Sequence, residues 1–501
     1  MSARSHSPIS ASRAVHAGRR LRLAHGLALV LALGLAGCSG GAALLERQVS
    51  LPEPPKLQTD NKPTAAEREH QRILAAYGRT YEDARLQPLI DRTVAKLVAA
   101  SERPDLRYEV IILNSPAINA FALPTGQLYI TRGLIALAND TSELASVLSH
   151  EMAHVIARHA AIREDQVRQA ALVSRVASDI LADPAMGALA LAKSKIAIAS
   201  FSRAQEFEAD GIGVGISSRA GYDPYGAVRF LSSMGRNAAL KAAAAKIDPH
   251  SLDFLSSHPA TPERIRNAQL NARQYVAPGP GAREKDDYLA GLDGLMFGED
   301  PSEGFVRGRR FLHPKLGFTF TAPEGYVLDN TAQAVFGVRD GGERALRLDI
   351  VRVPADQPLP DYLLSGWIEG IDAQSMDETT INGFKAATAA AKNDQWAFRL
   401  YAVRAGSEVY RMIFAAKTMS PDFDRQARET MASFRRLTRA EAAAARPLRL
   451  RIVTAGPNDT VETLAQRMAG GEHAVERLRV LNGLDTNDKV KPGDRVKIVV
   501  E

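Results

Sequence analysis

In the run SHEMAHVIARHA (149–160), His150 and His154 stand four residues apart and Glu151 follows the first of them directly. On a helix, side chains four apart share a face, so both imidazoles can be offered to one point in space. Zinc at a catalytic site takes three protein ligands and leaves one position for water. Glu151, one residue along, then reaches the water rather than the metal, which is the place of a general base in peptide hydrolysis. The plain alternative is an amphipathic helix with two ordinary histidines. Two histidines and a base also leave the metal one ligand short. An HExxHxxGxxH spacing would supply it, but positions 157 and 160 are alanine and His159 falls out of helical register. A second run, FSRAQEFEAD (201–210), carries Glu206 and Asp210 four apart on one helical face. One carboxylate can ligate a metal while the other hydrogen-bonds a ligand histidine and fixes its orientation. As bare chemistry, Glu206, Glu208 and Asp210 are equally a solvated acidic face.

The elements that would position these groups are legible from periodicity. Apolar residues recur three and four apart in TAAEREHQRILAAYGRTY from Thr64 and in LQPLIDRTVAKLVAAS, so both read as helices. YEVIILN (108–114) reads as a strand, and the stretch from Ile118 onward as short extended pieces around a Pro124-Thr125-Gly126 turn. Helical sequence resumes at Thr141, which suits an N-cap with Glu143 in the first turn. Residues 160–200 are alanine-rich and helical, broken at Asp183-Pro184, and VAPGPGARE (276–284) has linker composition. From 305 to 440 short β-like runs surround two helical patterns, near 360–371 and 421–436, with no catalytic constellation. The fold class expected is α+β.

Four stretches, NAFALPTGQLYITRGLI (119–135), SHEMAHVIARH (149–159), SRAQEFEAD (202–210) and SSHPATPERI (256–265), resemble in order the motifs of one peptidase family. It is the zinc metalloprotease family of HtpX, the CAAX prenyl protease and the bacterial periplasmic proteases BepA and LoiP. The resemblance covers about 65–270 and implies one zinc ion per subunit, with His150, His154 and Glu206 as ligands, Glu151 as base and Asp210 orienting a ligand. It further implies that Asn119 and Ala120 lie on an edge strand that holds substrate backbone in extended form; a plain core strand is the alternative. For His258 it leaves three roles open: a fourth zinc ligand that silences the enzyme, a contact to the transition-state oxyanion, or a brace for its loop with Pro259 and Arg264. Arg203 and Arg264 read as structural salt-bridge partners.

The chain has 501 residues, 45% hydrophobic and 24% charged, which suits several globular domains. Its net charge of +6 does not point to nucleic acid, because five arginines and no acidic residue fall within 1–37, and the remainder is close to neutral. That segment runs through an apolar stretch at 27–37, short for a permanent membrane helix, into Cys38, the only cysteine. It resembles a bacterial lipoprotein signal, so Cys38 would be lipidated and tie the protein to a membrane, and Ser39 favours the outer one. A lone thiol makes no internal disulfide. At the other end, RIVTAGPNDTVETLAQRM and AVERLRVLNGLDTNDKVKPGDRVKIV resemble a LysM module on Asp459-Thr460, Leu481-Asn482-Gly483 and Pro492-Gly493-Asp494. Gly456-Pro457-Asn458 departs from that pattern where a glycan-contacting turn would stand, and a small βααβ interaction domain without sugar binding is the alternative.

The expected organisation is a signal peptide (1–37), a tether (38–63), a mainly helical zinc metalloprotease domain with a small edge-strand sheet (64–275), a linker (276–304), an α+β accessory domain (305–440) and a βααβ LysM-like domain (450–501). The function expected is a lipid-anchored periplasmic zinc endopeptidase acting on misfolded or unassembled envelope proteins, with peptidoglycan or the outer-membrane assembly machinery as further partners. Its rivals are an assembly factor or chaperone with little proteolysis, and a peptidoglycan-tethered scaffold with a structural zinc.

Overall fold

The computed structural model describes residues 64–165, 202–245, 258, 261–275, 281–339, 342–366, 368–469 and 473–501. The expected signal peptide, Cys38, the tether and the alanine-rich stretch 166–201 lie outside the described residues.

Thr64 opens α1 (Ala65–Tyr77) with a reciprocal capping box to Glu67, and Gly78 at φ 79° ends it. Helix α2 (Leu86–Ala100) buries Leu86, Leu89, Ile90, Val94 and Leu97 along one stripe. The next strands, β1 (Glu109–Leu113), β2 (Ala120–Ala122) and β3 (Gln127–Thr131), form a sheet in the order β1-β3-β2. β3 runs parallel to β1 and antiparallel to β2, so β2 is an outer strand. Thr131 caps the short α3 (Arg132–Leu137).

Helix α4 (Thr141–Ile156) carries the HExxH run and is buried along nearly all its length. Its N-cap is Asp140 rather than Thr141: the Asp140 carboxylate accepts the Glu143 N–H at 2.9 Å. Aspartate also receives Arg283 and Arg229 there, at 2.7 and 3.3 Å, which a threonine hydroxyl could not match. Helix α5 (Arg203–Arg219) starts from a Ser202–Gln205 capping box, α6 (Gly226–Ala245) follows, and α7 (Pro262–Arg273) starts at Thr261 with proline in its first turn.

Inside the stretch read as a linker, residues Lys285–Leu292 form α8 and Met296–Phe297 form β4. β4 joins the C-terminal segment, which runs β5 (Leu448–Thr454), α9 (Val461–Gln466), α10 (Ala474–Leu481) and β6 (Arg495–Val500). β5 is the middle strand between β6 and β4. Leu450, Val480, Leu481 and Val499 share the hydrophobic core of α2, α3 and α4, so this segment is packed into the helical body. Lys497 reinforces the join. Its fully buried ammonium donates to the carbonyls of Ala136, Leu137 and Ala138 at the end of α3, at 2.8, 3.2 and 2.8 Å.

Between β4 and β5 the chain builds an antiparallel seven-stranded sheet from residues 327–416 and a four-stranded sheet whose longest members are Arg310–His313 and Phe318–Thr321. Aromatic side chains, Phe318, Phe320, Phe414 and Phe434 among them, fill the core between sheets and the helix Pro421–Ser433. The helical pattern expected near 360–371 is realised only as Leu359–Leu363, because Gly366 and Gly370 take left-handed φ of 87° and 74° and a strand starts at Ile371. Helices and several small sheets together make an α+β protein. Among the described residues no helix is long and apolar enough to cross a membrane.

Candidate metal centre

Helices α4 and α5 meet at a glycine. A Cβ on Gly213 would lie 3.0 Å from the backbone nitrogen of His150 and 3.1 Å from its Cα, so any other residue would press α4 back by a few tenths of an ångström. Glycine inside a helix costs about 1 kcal/mol relative to alanine; here the cost secures a crossing that turns Asp210 and Glu206, one and two turns upstream, toward α4. Glu206 then lies 3.5 Å from His150 Nε2 and 3.4 Å from His154 Nε2. Asp210 Oδ1 lies 3.1 Å from the other ring nitrogen of His150, the orienting contact.

Two further groups close the cluster from the region around α7. His258 Nδ1 is 2.9 Å from Glu206 Oε1 and 3.3 Å from His150 Nε2. Arg264 bridges both carboxylates, with Nη1 2.7 Å from Glu206 and Nη2 2.6 Å from Asp210. The whole group is buried: His150, Glu151, His154, Glu206, Asp210, His258 and Arg264 each expose less than a tenth of their surface.

One ligand atom from each of His150, His154, Glu206 and His258 fits within a span of 4.8 Å. The nitrogens converge on one another, with His154 Nε2 and His150 Nε2 only 3.1 Å apart. Among the described residues neither carboxylate oxygen of Glu206 has an aligned hydrogen-bond partner, although both are fully buried. Ring nitrogens and carboxylate oxygens crowded this closely around one point are what a cation would satisfy. Three imidazole nitrogens and one carboxylate oxygen match the donor preference and coordination number of zinc.

Charge distribution in the cluster is uneven. Burial opposes a proton on His150, but the Asp210 and Glu206 carboxylates outweigh it and lift the imidazole to about 9. Burial, with repulsion from His150 and His258 and only partial relief from Glu206, pushes His154 down to about 3. Glu206 stays well below the usual carboxylate range: burial would raise it, but the facing imidazoles hold the anion. Burial raises the Glu151 carboxyl, with His258 and His150 opposing. Its Oε1 is buried without a hydrogen-bond partner among the described residues, leaving an acceptor beside the cluster.

His159, set aside by helical register, belongs to the site. Its Nδ1 lies 2.9 Å from His154 Nδ1, and its Nε2 lies 3.3 Å from Glu208. Helix α4 ends at Ile156, and Arg158 takes a left-handed φ of 58°, which folds the chain back and lays His159 over His154. Nothing in the residue type of Arg158 signals that turn, since left-handed backbone favours glycine or asparagine. Arg203 is exposed at the start of α5, away from the role Arg264 fills.

On the sheet, β2 packs toward α4. The main chain of Asn119 is taken up by Thr131, whose N–H donates to the Asn119 carbonyl and whose hydroxyl accepts its N–H, both at 3.0 Å. Leu123 donates to Gln127 across the same pair at 2.8 Å. Alternation along an antiparallel strand then turns the main-chain groups of Ala120 and Ala122 outward.

Residues 84–272 match the model of Peptidase family M48. The chain is 30% identical over 180 residues to the mitochondrial metalloendopeptidase OMA1 of Schizosaccharomyces pombe, covering 36% of this chain and 51% of that protein. It is 32% identical over 228 residues to the beta-barrel assembly-enhancing protease of Yersinia pestis, covering 44% and 45%. The counterpart of Escherichia coli is 31% identical over 217 residues, covering 42% and 43%. The chain thus spans about half the length of the curated relatives it matches.

Proposed function

We propose that this chain, whose residues 84–272 match Peptidase family M48, is a zinc-dependent endopeptidase of the bacterial cell envelope. The observation that carries the reading is the buried convergence of His150, His154, Glu206 and His258 with Glu151 beside them. His150, His154 and Glu206 would hold the metal. When bound, zinc supplies a Lewis acid that polarises a peptide carbonyl and acidifies water.

The chain's own groups do the rest. Glu151 takes a proton from the attacking water at its unpartnered oxygen and returns it to the leaving amine. Asp210 holds the His150 ring from behind, and Arg264 keeps both carboxylates ionised and in place. The outer strand β2 offers the main chain of Ala120 and Ala122 to an extended substrate. Similarity to beta-barrel assembly-enhancing proteases supports substrates among misfolded or unassembled envelope proteins, with the assembly machinery as a partner. The lipobox-like run ending at Cys38 supports lipid anchoring on the periplasmic side, and the C-terminal strand–helix–helix–strand segment is the part suited to peptidoglycan.

A second reading has its own observation. His258 stands where a fourth ligand would be, within the same 4.8 Å group. A filled fourth position leaves no place for water, so the resting protein would be latent and act by binding precursors. Zinc content and casein cleavage, compared in wild type, Glu151→Gln and His258→Ala, separate these readings. The expected result is one zinc per chain throughout, a loss of hydrolysis of about 10²–10⁴-fold in Glu151→Gln, and higher activity in His258→Ala. Zinc in all three with cleavage by none would overturn the peptidase reading.

A further inference from the structure

A cavity of about 310 Å³ lies between α3, α6 and α10, and among the described residues it shares none with the metal centre. Its walls are largely apolar, with Ile118, Leu137, Leu240, Phe297 and Leu481 contributing. Among the described residues no acidic side chain lines it, while Arg132, Lys241, His473 and Arg477 do.

Arg132 is the decisive group. It is the first residue of α3 and exposes 1% of its surface. Its Nε donates to Asn114 Oδ1 at 2.7 Å and its Nη1 to the Met296 carbonyl at 3.2 Å, but among the described residues its buried Nη2 has no hydrogen-bond partner. A buried guanidinium with donors left over is costly until an acceptor reaches it. Burial pushes Arg132 down to about 10 against the pull of Asp300.

We propose that this cavity is a binding site for an apolar monocarboxylate, whose carboxylate meets Arg132 and whose body lies against Ile118, Leu137, Leu240 and Leu481. The planar fork of a guanidinium matches a carboxylate, and the apolar walls exclude a heavily hydrated anion. The volume is at the small end of ligand pockets, which suits a medium-length acyl chain or one or two apolar residues at a chain terminus. Free fatty acids and peptide C-termini share this chemistry, and the test distinguishes them.

The purified protein is titrated calorimetrically with decanoate, with decanamide, and with acetyl-Leu-Phe as its free acid and as its amide. Arg132→Gln removes the anchor but also a structural donor, so the fold is kept in reserve by Leu240→Trp, which fills the space from a half-buried position on α6; zinc content and thermal melting check its fold. Binding of at least one acid, with its amide about tenfold weaker or worse, and loss of binding in a folded Leu240→Trp protein, is the expected result. Decanoate alone would identify a fatty acid as the source, and the peptide acid alone a chain terminus. Equal binding of acid and amide, binding that survives Leu240→Trp, or no binding of either acid, would overturn the proposal.

Discussion

His159→Leu tests whether the histidine behind His154 holds that ring for the metal. The His159 ring is 1% exposed, and its Nδ1 stands 2.9 Å from His154 Nδ1, so leucine keeps most of the packing and removes the polar contacts to His154 and Glu208. With Nε2 of His154 turned to the metal group, its other ring nitrogen must carry the proton and donate to His159. Losing such an orienting partner lowers metal affinity by about 10–100-fold, or roughly 1.4–2.7 kcal/mol. Glu208, whose side chain is 58% exposed, anchors the far side of His159, and Glu208→Gln should cost only about two- to fivefold, as exposed pairs do. A chelator competition titration with zinc at fixed pH measures both, with thermal melting alongside to show that each variant is folded. Wild-type zinc affinity in a folded His159→Leu protein would refute the reasoning: helix α4 and Glu206 alone would then suffice to hold His154.

Further expectations concern charge in the interior. Arg264→Leu leaves Glu206 and Asp210 without their cation, so the metal-free protein should lose about 3–5 kcal/mol, and saturating zinc should narrow the gap; urea unfolding with EDTA or with zinc reads this, and an equal loss in both would count against it. Burial draws the Lys497 amine down to about 7 against the pull of Glu143, whereas an unfolded lysine keeps its proton to about 10.4. The folded state therefore binds fewer protons in that window, and wild-type stability should rise with pH there by up to about 1.4 kcal/mol per unit. Lys497→Met should lack that rise, and parallel pH profiles of the two proteins would exclude it. Gly213→Ala should force α5 away from His150 and cut both zinc affinity and stability, by about 1–3 kcal/mol for the overpacked contact; unchanged zinc binding would show that the crossing has slack.

The sequence by itself determined what depends on near neighbours along the chain. His150 and His154 share a face because helical spacing makes them do so, as do Glu206 and Asp210. Capping boxes at Thr64 and Ser202 are four-residue patterns, and the alternation of helix and strand makes the α+β class legible. The cap of α4 falls on Asp140, one residue before Thr141, because Arg229 and Arg283, distant in sequence, hold that carboxylate.

What only the tertiary structure decided involves groups brought together across long loops. Gly213 looks like a weak point in a helix until α4 is laid against it. Arg264 becomes the clamp of two carboxylates 54 residues away from one of them, and Lys497 finds its three carbonyls some 360 residues upstream. His159 needed a left-handed turn at Arg158 that no local preference announces. Periodicity reports which side chains share a face; which faces meet, and which buried charges then compensate one another, is settled by packing of the whole chain.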